Sequence, residues 1–422
     1  VSDAARGPLS GIRILDFTQV IAGPFACMSL ADMGAEVIKI EPPGGEQWRL
    51  VSQFVPKESK AFQSLNRGKL SLVLDLEHPL AQEVVHRLIP SVDAVVVNFR
   101  PDVPARLRVD YETLRAIRPD LIYLSNTAFG SRGPDALKPG YDIVAQAVTG
   151  LMVSDSKLDP VGTPRPMSPA VADYATGLAM MGAVCAALFH RQRTGEGQYI
   201  ETSLLATALA LQGSIVMENP AADAQRNDAR EKRRELRRSG APFEKLVEAR
   251  RPLGGGLFYR CYLTSDGAVA VGALSKSLRA KVRRAVGTDF LAQDAPDYDP
   301  RNPEFIARSR DATRQVEATL RSKTTREWLE IFEREGVPAG PVKFPEDMGE
   351  DPQVQANELM MSLEHEVTGP QRVVGPQIRF PAFKRDAGLA SPRLGAHTDR
   401  LLREAGYDAD DIIRLRRVGA VA

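Results

Sequence analysis

Short apolar runs alternate with longer mixed stretches through the first half of the chain. Gly11–Phe17 has the length and apolar content of a strand. A turn and a predicted helix over Pro24–Met33 follow, with Pro24 suited to a first helical turn because its missing N–H leaves nothing unbonded there. Gly34 ends that helix, and Ala35–Glu41 reads as the next strand. Leu70–Leu76, Ala94–Phe99 and Leu121–Asn126 repeat the theme, with helical spacing at Pro79–Leu88 and Tyr111–Ile117. This alternation predicts an α/β fold with a parallel sheet covered by helices on both faces.

A long helix is expected over Ala170–Gln192, dense in small residues (Ala175, Gly177, Ala179, Gly182, Ala183, Ala186, Ala187) that allow close backbone approach. Gly195 closes it. Tyr199–Ser203 and an apolar helix running to Met217 come next. Composition changes at Asn219, and the basic run Arg226–Arg238 has the spacing of a solvated helix with Glu231–Arg234 and Glu235–Arg238 pairs. Beyond it, Phe258–Leu263 and Ala268–Gly272 flank an Asp266-Gly267 hairpin turn. Helices are predicted over Ser275–Val286, Arg301–Lys323 and Thr325–Glu335, which makes a smaller α+β unit. Gly336–Val342 reads as a Gly/Pro crossing, and helices at Asp399–Ala405 and Asp410–Val418 finish the chain.

Composition narrows the class. The 422 residues carry 55 Lys+Arg against 54 Asp+Glu, a formal net charge of +1, so binding of nucleic-acid backbones by a basic surface is not expected. An apolar share of 43% supports folded cores, and the length suggests two or three domains. Cys27, Cys185 and Cys261 are odd in number and lie far apart, which points to a reduced, cytoplasmic setting. Val1–Ser10 has no apolar signal core, and no membrane attachment is expected.

Several familiar chemistries lack their residues. The first strand–turn–helix, with Glu41 closing the second strand, has the outline of a dinucleotide site, but Gln19–Phe25 holds one glycine where G-x-G-x-x-G is needed. The five histidines include no H-x-x-x-H pair, so no metal site is expected, and neither G-x-S-x-G nor a P-loop occurs. Carboxylates remain as nucleophiles or bases. Asp173 stands near the start of the small-residue helix, where the helix dipole and free N–H groups favour an ionised carboxylate able to attack an acyl group. Gly177, one turn on, leaves room over that face. An ordinary helix-start aspartate is the alternative. Gly254-Gly255-Gly256 is either a mobile lid or a linker.

Leu9–Pro24 and Leu30–Glu41 resemble the class III CoA-transferases, a family that includes formyl-CoA transferase, carnitine CoA-transferase and alpha-methylacyl-CoA racemase. Asn66–Lys69, Val97–Phe99, Gly140–Asp142, Ala172-Asp173, Thr194–Gln198, Gly336–Pro341 and Gly395–Asp399 continue the match in family order. The resemblance implies a discontinuous, Rossmann-like large domain (residues 1–215 and 351–422), a charged linker (216–252), a small α+β domain (253–335) and a return linker (336–350). It also implies an interlocked homodimer, with CoA or acyl-CoA as substrate, a carboxylic acid as acceptor and no permanently bound cofactor.

On the family pattern Asp173 matches the nucleophile, which forms an acyl-aspartyl anhydride and then an aspartyl-CoA thioester. Backbone N–H groups at the helix start are expected to hold the oxyanion. Val20, Ile21 and Ala22 match a turn along CoA, and Leu74 and Leu76 an adenine-side segment. Asn98, Phe99, Arg100 and Arg106 match nucleotide and phosphate contacts, Tyr141 an aromatic beside the pantetheine arm, and Gly254, Gly255 and Gly256 the glycine lid. Tyr141 stands where the racemases carry a histidine, which weighs against alpha-proton exchange. Ile21 replaces a glutamine of formyl-CoA transferase, and Pro42 replaces an arginine, shifting the expected nucleotide contact to Lys69 or Arg100. Racemase or isomerase activity, and a catalytically silent acyl-CoA binder, are the rival readings.

Overall fold

The computed structural model describes residues 7–422 except 155–156, 224–226, 251–255, 292–293, 297, 300–301 and 384–387. The chain divides into two compact units, Val1–Arg226 with Gln353–Ala422, and Asn227–Pro352.

The first unit is built on six parallel strands: β1 (Arg13–Asp16), β2 (Glu36–Glu41), β3 (Lys69–Val73), β4 (Ala94–Val97), β5 (Ile122–Thr127) and β6 (Tyr199–Ser203). They lie in the order β3-β2-β1-β4-β5-β6. Successive side chains alternate between two cores, as the pleat requires. Leu15, Ile38, Leu72, Val95 and Tyr123 face the helix Pro79–Leu88 and the C-terminal helices Thr398–Glu404 and Ala409–Arg417. Ile14, Val37, Val96 and Leu124 face the first helix, Ala22–Asp32, and the long helix, Val171–Thr194. The β3 ladder ends at Val73, earlier than the apolar run suggested, because Leu74 instead bridges Val421 near the C-terminus.

Gly177 has a different role from the one expected. A Cβ there would lie 2.8 Å from the Ala22 carbonyl oxygen and from the Phe25 ring, so the glycine lets the two helices of this layer touch. It opens no space for substrate. By length and composition the long helix is the one among the described residues able to cross a membrane. Here its Ala172, Thr176, Met180, Val184 and Ala187 side is buried in the fold.

The chain builds β1, β2 and β3 outward and then returns to place β4 beside β1. This reversal opens a crevice at the carboxyl ends of β1 and β4. Beneath it lies a lattice of buried charges. Lys69 Nζ contacts Asp16 Oδ2 at 2.8 Å, Asn66 Oδ1 at 2.8 Å and the Pro24 carbonyl at 3.0 Å. Lys69 is therefore wholly engaged inside the protein and cannot serve as the nucleotide contact. Lys39 donates to the Thr18 carbonyl at 2.8 Å and pairs with Glu46 at 3.2 Å. Arg49 grips Glu41 through two nitrogens, at 2.6 and 2.9 Å, and meets Glu58 at 3.3 Å. Burial works against ionised Asp16, but Lys69 and Lys39 hold its carboxyl down at about 2.

The unit also contains an antiparallel hairpin that the apolar pattern did not reveal, β10 (Met360–His365) paired with β11 (Gly369–Val374). Its strands alternate partly buried and exposed positions, and His365 is its deepest polar residue.

The second unit holds β7 (Tyr259–Leu263), β8 (Ala268–Gly272) and β9 (Ala339–Pro341) in one antiparallel sheet. The expected Gly/Pro crossing thus contributes a strand, since Gly340 and Ala339 pair with Ala270 and Val271. Helices Lys276–Val286, Pro303–Leu320 and Thr325–Glu335 cover the sheet. Thr324 and Glu327 form a capping box that starts the last of them, burying Trp328 and Phe332. The basic stretch forms the helix Asn227–Arg238, with Arg234 and Glu231 paired at 3.5 Å on an exposed face.

Removing one partner of the buried lattice leaves a charge without compensation. Lys69→Met is expected to lower unfolding stability by ~3–5 kcal/mol. A urea titration checks this, and a loss below about 1 kcal/mol would show that the ion pair is not what holds the crevice floor.

Candidate active site

The loop after β1 forms one wall of the crevice. Asp16 ends the strand and accepts from the Thr18 backbone N–H at 2.8 Å, bending the chain sharply. Two residues later Val20 adopts φ +74°, a left-handed conformation that costs a β-branched residue about 1–2 kcal/mol. Two side chains hold it there. Asn98, just past β4, accepts from Gln19 N–H at 3.0 Å and donates to the Gln19 carbonyl at 2.8 Å. Glu46, itself tied to Lys39, accepts from Val20 N–H at 2.9 Å. The single-glycine turn that fails as a dinucleotide loop is therefore a rigid, side-chain-clamped structure.

Asp173 forms the opposite wall. It lies in the first turn of Val171–Thr194, and its neighbour Asp142, which opens the helix Asp142–Val148, is also buried. Asp142 Oδ1 accepts from the N–H groups of Ala172, at 2.8 Å, and Asp173, at 3.1 Å. Its Oδ2 accepts from Gln146 Nε2. Gln146 is held in turn by the Met167 backbone, accepting from its N–H at 2.8 Å and donating to its carbonyl at 3.2 Å. Ala170, at the helix N-cap, makes no side-chain cap. Asp142 supplies the cap from another element.

This arrangement corrects two expectations. The helix start does not hold Asp173 ionised. Burial and the adjacent negative charge of Asp142 push its carboxyl up to about 7. Nor are most of the first-turn N–H groups free for a developing oxyanion, since Asp142 takes those of residues 172 and 173, and Tyr174 N–H bonds to the Ala170 carbonyl at 3.1 Å. A carboxyl poised near neutrality is more basic, and so more nucleophilic once ionised, than an ordinary aspartate.

A pocket of about 300 Å³ connects these walls. Val20, Asn98, Phe99, Arg100, Tyr141 and Asp173 line it together, joined by Gln19, Gln47, Asn126 and Leu204 among others. Tyr141 is half-exposed and its hydroxyl lies 3.2 Å from Gln47 Oε1. Arg100 is exposed, 3.3 Å from Asp102. Ile21 is partly buried beside Val20, whereas Ala22 is inside the core at the start of the first helix. Leu74 is buried, and Leu76 packs against the same core. Arg106 is exposed on the short helix Val103–Arg106 and pairs with Glu77. Gly254 and Gly255 lie outside the described residues, and Gly256 is exposed.

Asp142 and Gln146 were not read as functional from the sequence. Asp142 stands in the matched Gly140–Asp142 motif, but nothing local reveals that its partner is a helix start 30 residues away.

Comparison with known proteins gives this pocket a family. Residues 9–398 match the model of CoA-transferase family III. The chain is 34% identical to the succinyl-CoA:glutarate CoA-transferase of Homo sapiens over 419 residues, covering 98% of this chain and 90% of that protein. It is 34% identical to the succinate–glutarate CoA-transferase of Agrobacterium fabrum over 411 residues, covering 94% and 96%. Among solved structures, a CAIB/BAIF family protein from Brucella suis superposes with TM-score 0.71 at 28% identity, covering 95% of this chain and all of that one. The chain belongs to the class III CoA-transferase family and is a CoA-transferase.

The Asp142–Asp173 pair makes two predictions. Asp142→Asn keeps an oxygen to cap the helix but removes the repelling charge, so the acid limb of the pH–kcat/KM profile should move down by about one unit. An unmoved limb would remove Asp142 from the electrostatics. Between the ordinary aspartate value and about 7, folded Asp173 retains a proton that the unfolded chain has released, so stability falls as pH rises through that window. Asp173→Asn should therefore raise stability at pH 8 by on the order of 2 kcal/mol, with no gain at pH 3.5, as read by paired thermal melts.

Proposed function

We propose that this enzyme moves CoA from an acyl-CoA to a free carboxylic acid through covalent intermediates on Asp173. The observation that carries the proposal is the Asp173 carboxyl itself, buried at the pocket wall and raised to about 7 by burial and Asp142. An ionised Asp173 oxygen attacks the thioester carbonyl, a C–O bond forms, the C–S bond breaks and CoA leaves as thiolate. The thiolate attacks the aspartyl carbonyl of the mixed anhydride, releasing the donor's carboxylate and leaving an aspartyl-CoA thioester. The acceptor carboxylate attacks that thioester, CoA departs again, and its return to the acceptor's acyl carbon regenerates Asp173. Each step exchanges one acyl bond for another, so no external energy source is consumed.

Burial serves this sequence by keeping water from the anhydride, whose hydrolysis would waste the donor. The relatives named above act on succinyl-CoA or succinate with glutarate, which makes short dicarboxylic acids the first acceptors to try. Tyr141 in the pocket supplies no second base for alpha-proton exchange, which favours transfer over isomerisation. The interlocked homodimer belongs to the same proposal. Leu178, Phe189, Leu211, Ile215 and Met217 are exposed on the long helix and the segments after it, apolar surface of the kind that a second copy covers. A solution mass measurement tests it, and a monomer at micromolar concentration would contradict it.

Acyl-CoA and hydroxylamine together should yield a hydroxamate at Asp173, located by peptide mass spectrometry. Asp173→Ala should reduce CoA exchange by at least about 10³-fold. Full exchange in that variant would eliminate the covalent route. Deuterium entry at the alpha carbon without an acceptor acid would instead indicate an isomerase.

A further inference from the structure

A second cavity, about 760 Å³ in volume, lies within the first unit and shares no lining residue with the pocket of Asp173. The first helix, the segment 54–67 and the β10–β11 hairpin enclose it, with Tyr174 at one side. Phe25, Met28, Leu65, Tyr174, Met360 and Val373 supply its apolar walls, and Phe25 meets Tyr174 edge to face at 5.0 Å. Tyr174 follows Asp173 in the chain, but one step along a helix turns the side chain by about 100°, so the two face different spaces. The volume falls in the range of ~300–1,000 Å³ typical of small-molecule sites, where apolar walls hold the ligand and a few polar groups orient it.

Most of the polar lining is already committed. Gln371 Nε2 donates to Gln63 Oε1 at 2.8 Å and to Thr368 Oγ1 at 2.9 Å, and Gln377 Nε2 donates to Ser29 Oγ at 3.0 Å. Arg67 grips Asp32 through two nitrogens, at 2.9 and 2.5 Å, and donates to the Val374 carbonyl at 3.0 Å. That pairing cancels one cation against Asp32, the one carboxylate among the described lining residues. Arg372, exposed on β11, has contacts of its own. Lys60 differs. It lines the cavity from an exposed position, and no hydrogen bond or ion pair among the described residues engages its ammonium. The cavity therefore combines an apolar interior with a positive charge left over at its edge.

We propose that this cavity binds an organic acid with one carboxylate and an alkyl or aryl body, the body against the apolar walls and the carboxylate at Lys60. The ammonium favours a monoanion over a neutral alcohol of the same length. A short dicarboxylic acid would leave its second charge among apolar side chains without a partner, so diacids are disfavoured. Because the cavity and the pocket of Asp173 share no lining residue, such an acid and a CoA thioester can be bound together. The site does not depend on the covalent reaction proposed above.

Octanoate is the probe and octan-1-ol its neutral control, each titrated calorimetrically into the full chain. Wild type should bind octanoate about tenfold more tightly than octan-1-ol, and neither CoA nor glutarate should displace it. Lys60→Glu should remove that preference while keeping the affinity for octan-1-ol. Val373→Trp, which fills the cavity, should abolish binding of both compounds. Met360→Trp on the paired strand repeats that arm if the first variant misfolds. Asp173→Ala should bind octanoate as wild type does. Equal affinity of wild type for acid and alcohol, or an octanoate affinity unchanged by Lys60→Glu, would overturn the proposal. So would displacement of octanoate by CoA, which would put the acid in the transfer pocket. Wild type that binds neither compound would overturn it as well, and a lower solution mass for Val373→Trp would then show that a second copy covers the cavity instead.

Discussion

Three buried cations, Lys39, Arg49 and Lys69, are shared among four buried carboxylates, Asp16, Glu41, Glu46 and Glu58, under the end of β1. No pair in this lattice is independent. Lys69 ties the strand end to the first helix through Asp16 and the Pro24 carbonyl, while Lys39 and Glu46 carry the support on to Val20. Isolated charges at this depth would cost far more than any one contact returns, so the lattice forms completely or not at all. It probes register as well, since Lys39 and Lys69 sit on adjacent parallel strands and must reach the same turn. Everything above the lattice, including the left-handed Val20 and the pocket mouth, inherits its position.

The two aspartates at the pocket divide their work. Asp142 is satisfied by three donors, and its place is structural: it caps a helix that has no cap of its own. Asp173 is deprived of such donors and feels the neighbouring charge, so it is held close to neutrality. The same carboxyl group is fully bonded in one position and held near neutrality in the other because of who donates to it. That deprivation weakens the folded state at neutral pH and is a cost concentrated at the pocket wall.

Much of the fold was legible. Helix and strand periods placed β1 to β6 and the helices Pro79–Leu88 and Thr325–Glu335, since buried parallel strands and amphipathic helices write strong local patterns. The β10–β11 hairpin and β9 were not legible. Their strands are short and mixed in polarity, and their pairing comes from contacts distant in sequence, as when Gly340 meets Ala270. In the site, Asp173 was marked as a candidate by its position at a helix start together with the family motif Ala172-Asp173. The direction of its shift could not, because that depends on Asp142 arriving from elsewhere. Gly177 was read as space for a ligand, whereas packing against Ala22 and Phe25 accounts for it.

The sequence by itself determined the alternation of strand and helix and the family motifs, and it marked Asp173 as a candidate. These are recorded in spacing along the chain, which local backbone preference and burial convert directly into elements. Only the tertiary structure decided that Lys69 is a buried tie rather than a phosphate ligand, and that Asp142 takes the N–H groups of residues 172 and 173. Each of those depends on which distant group occupies a donor or acceptor. Hydrogen-bond capacity is consumed by neighbours in space, and the order of residues along the chain does not record it.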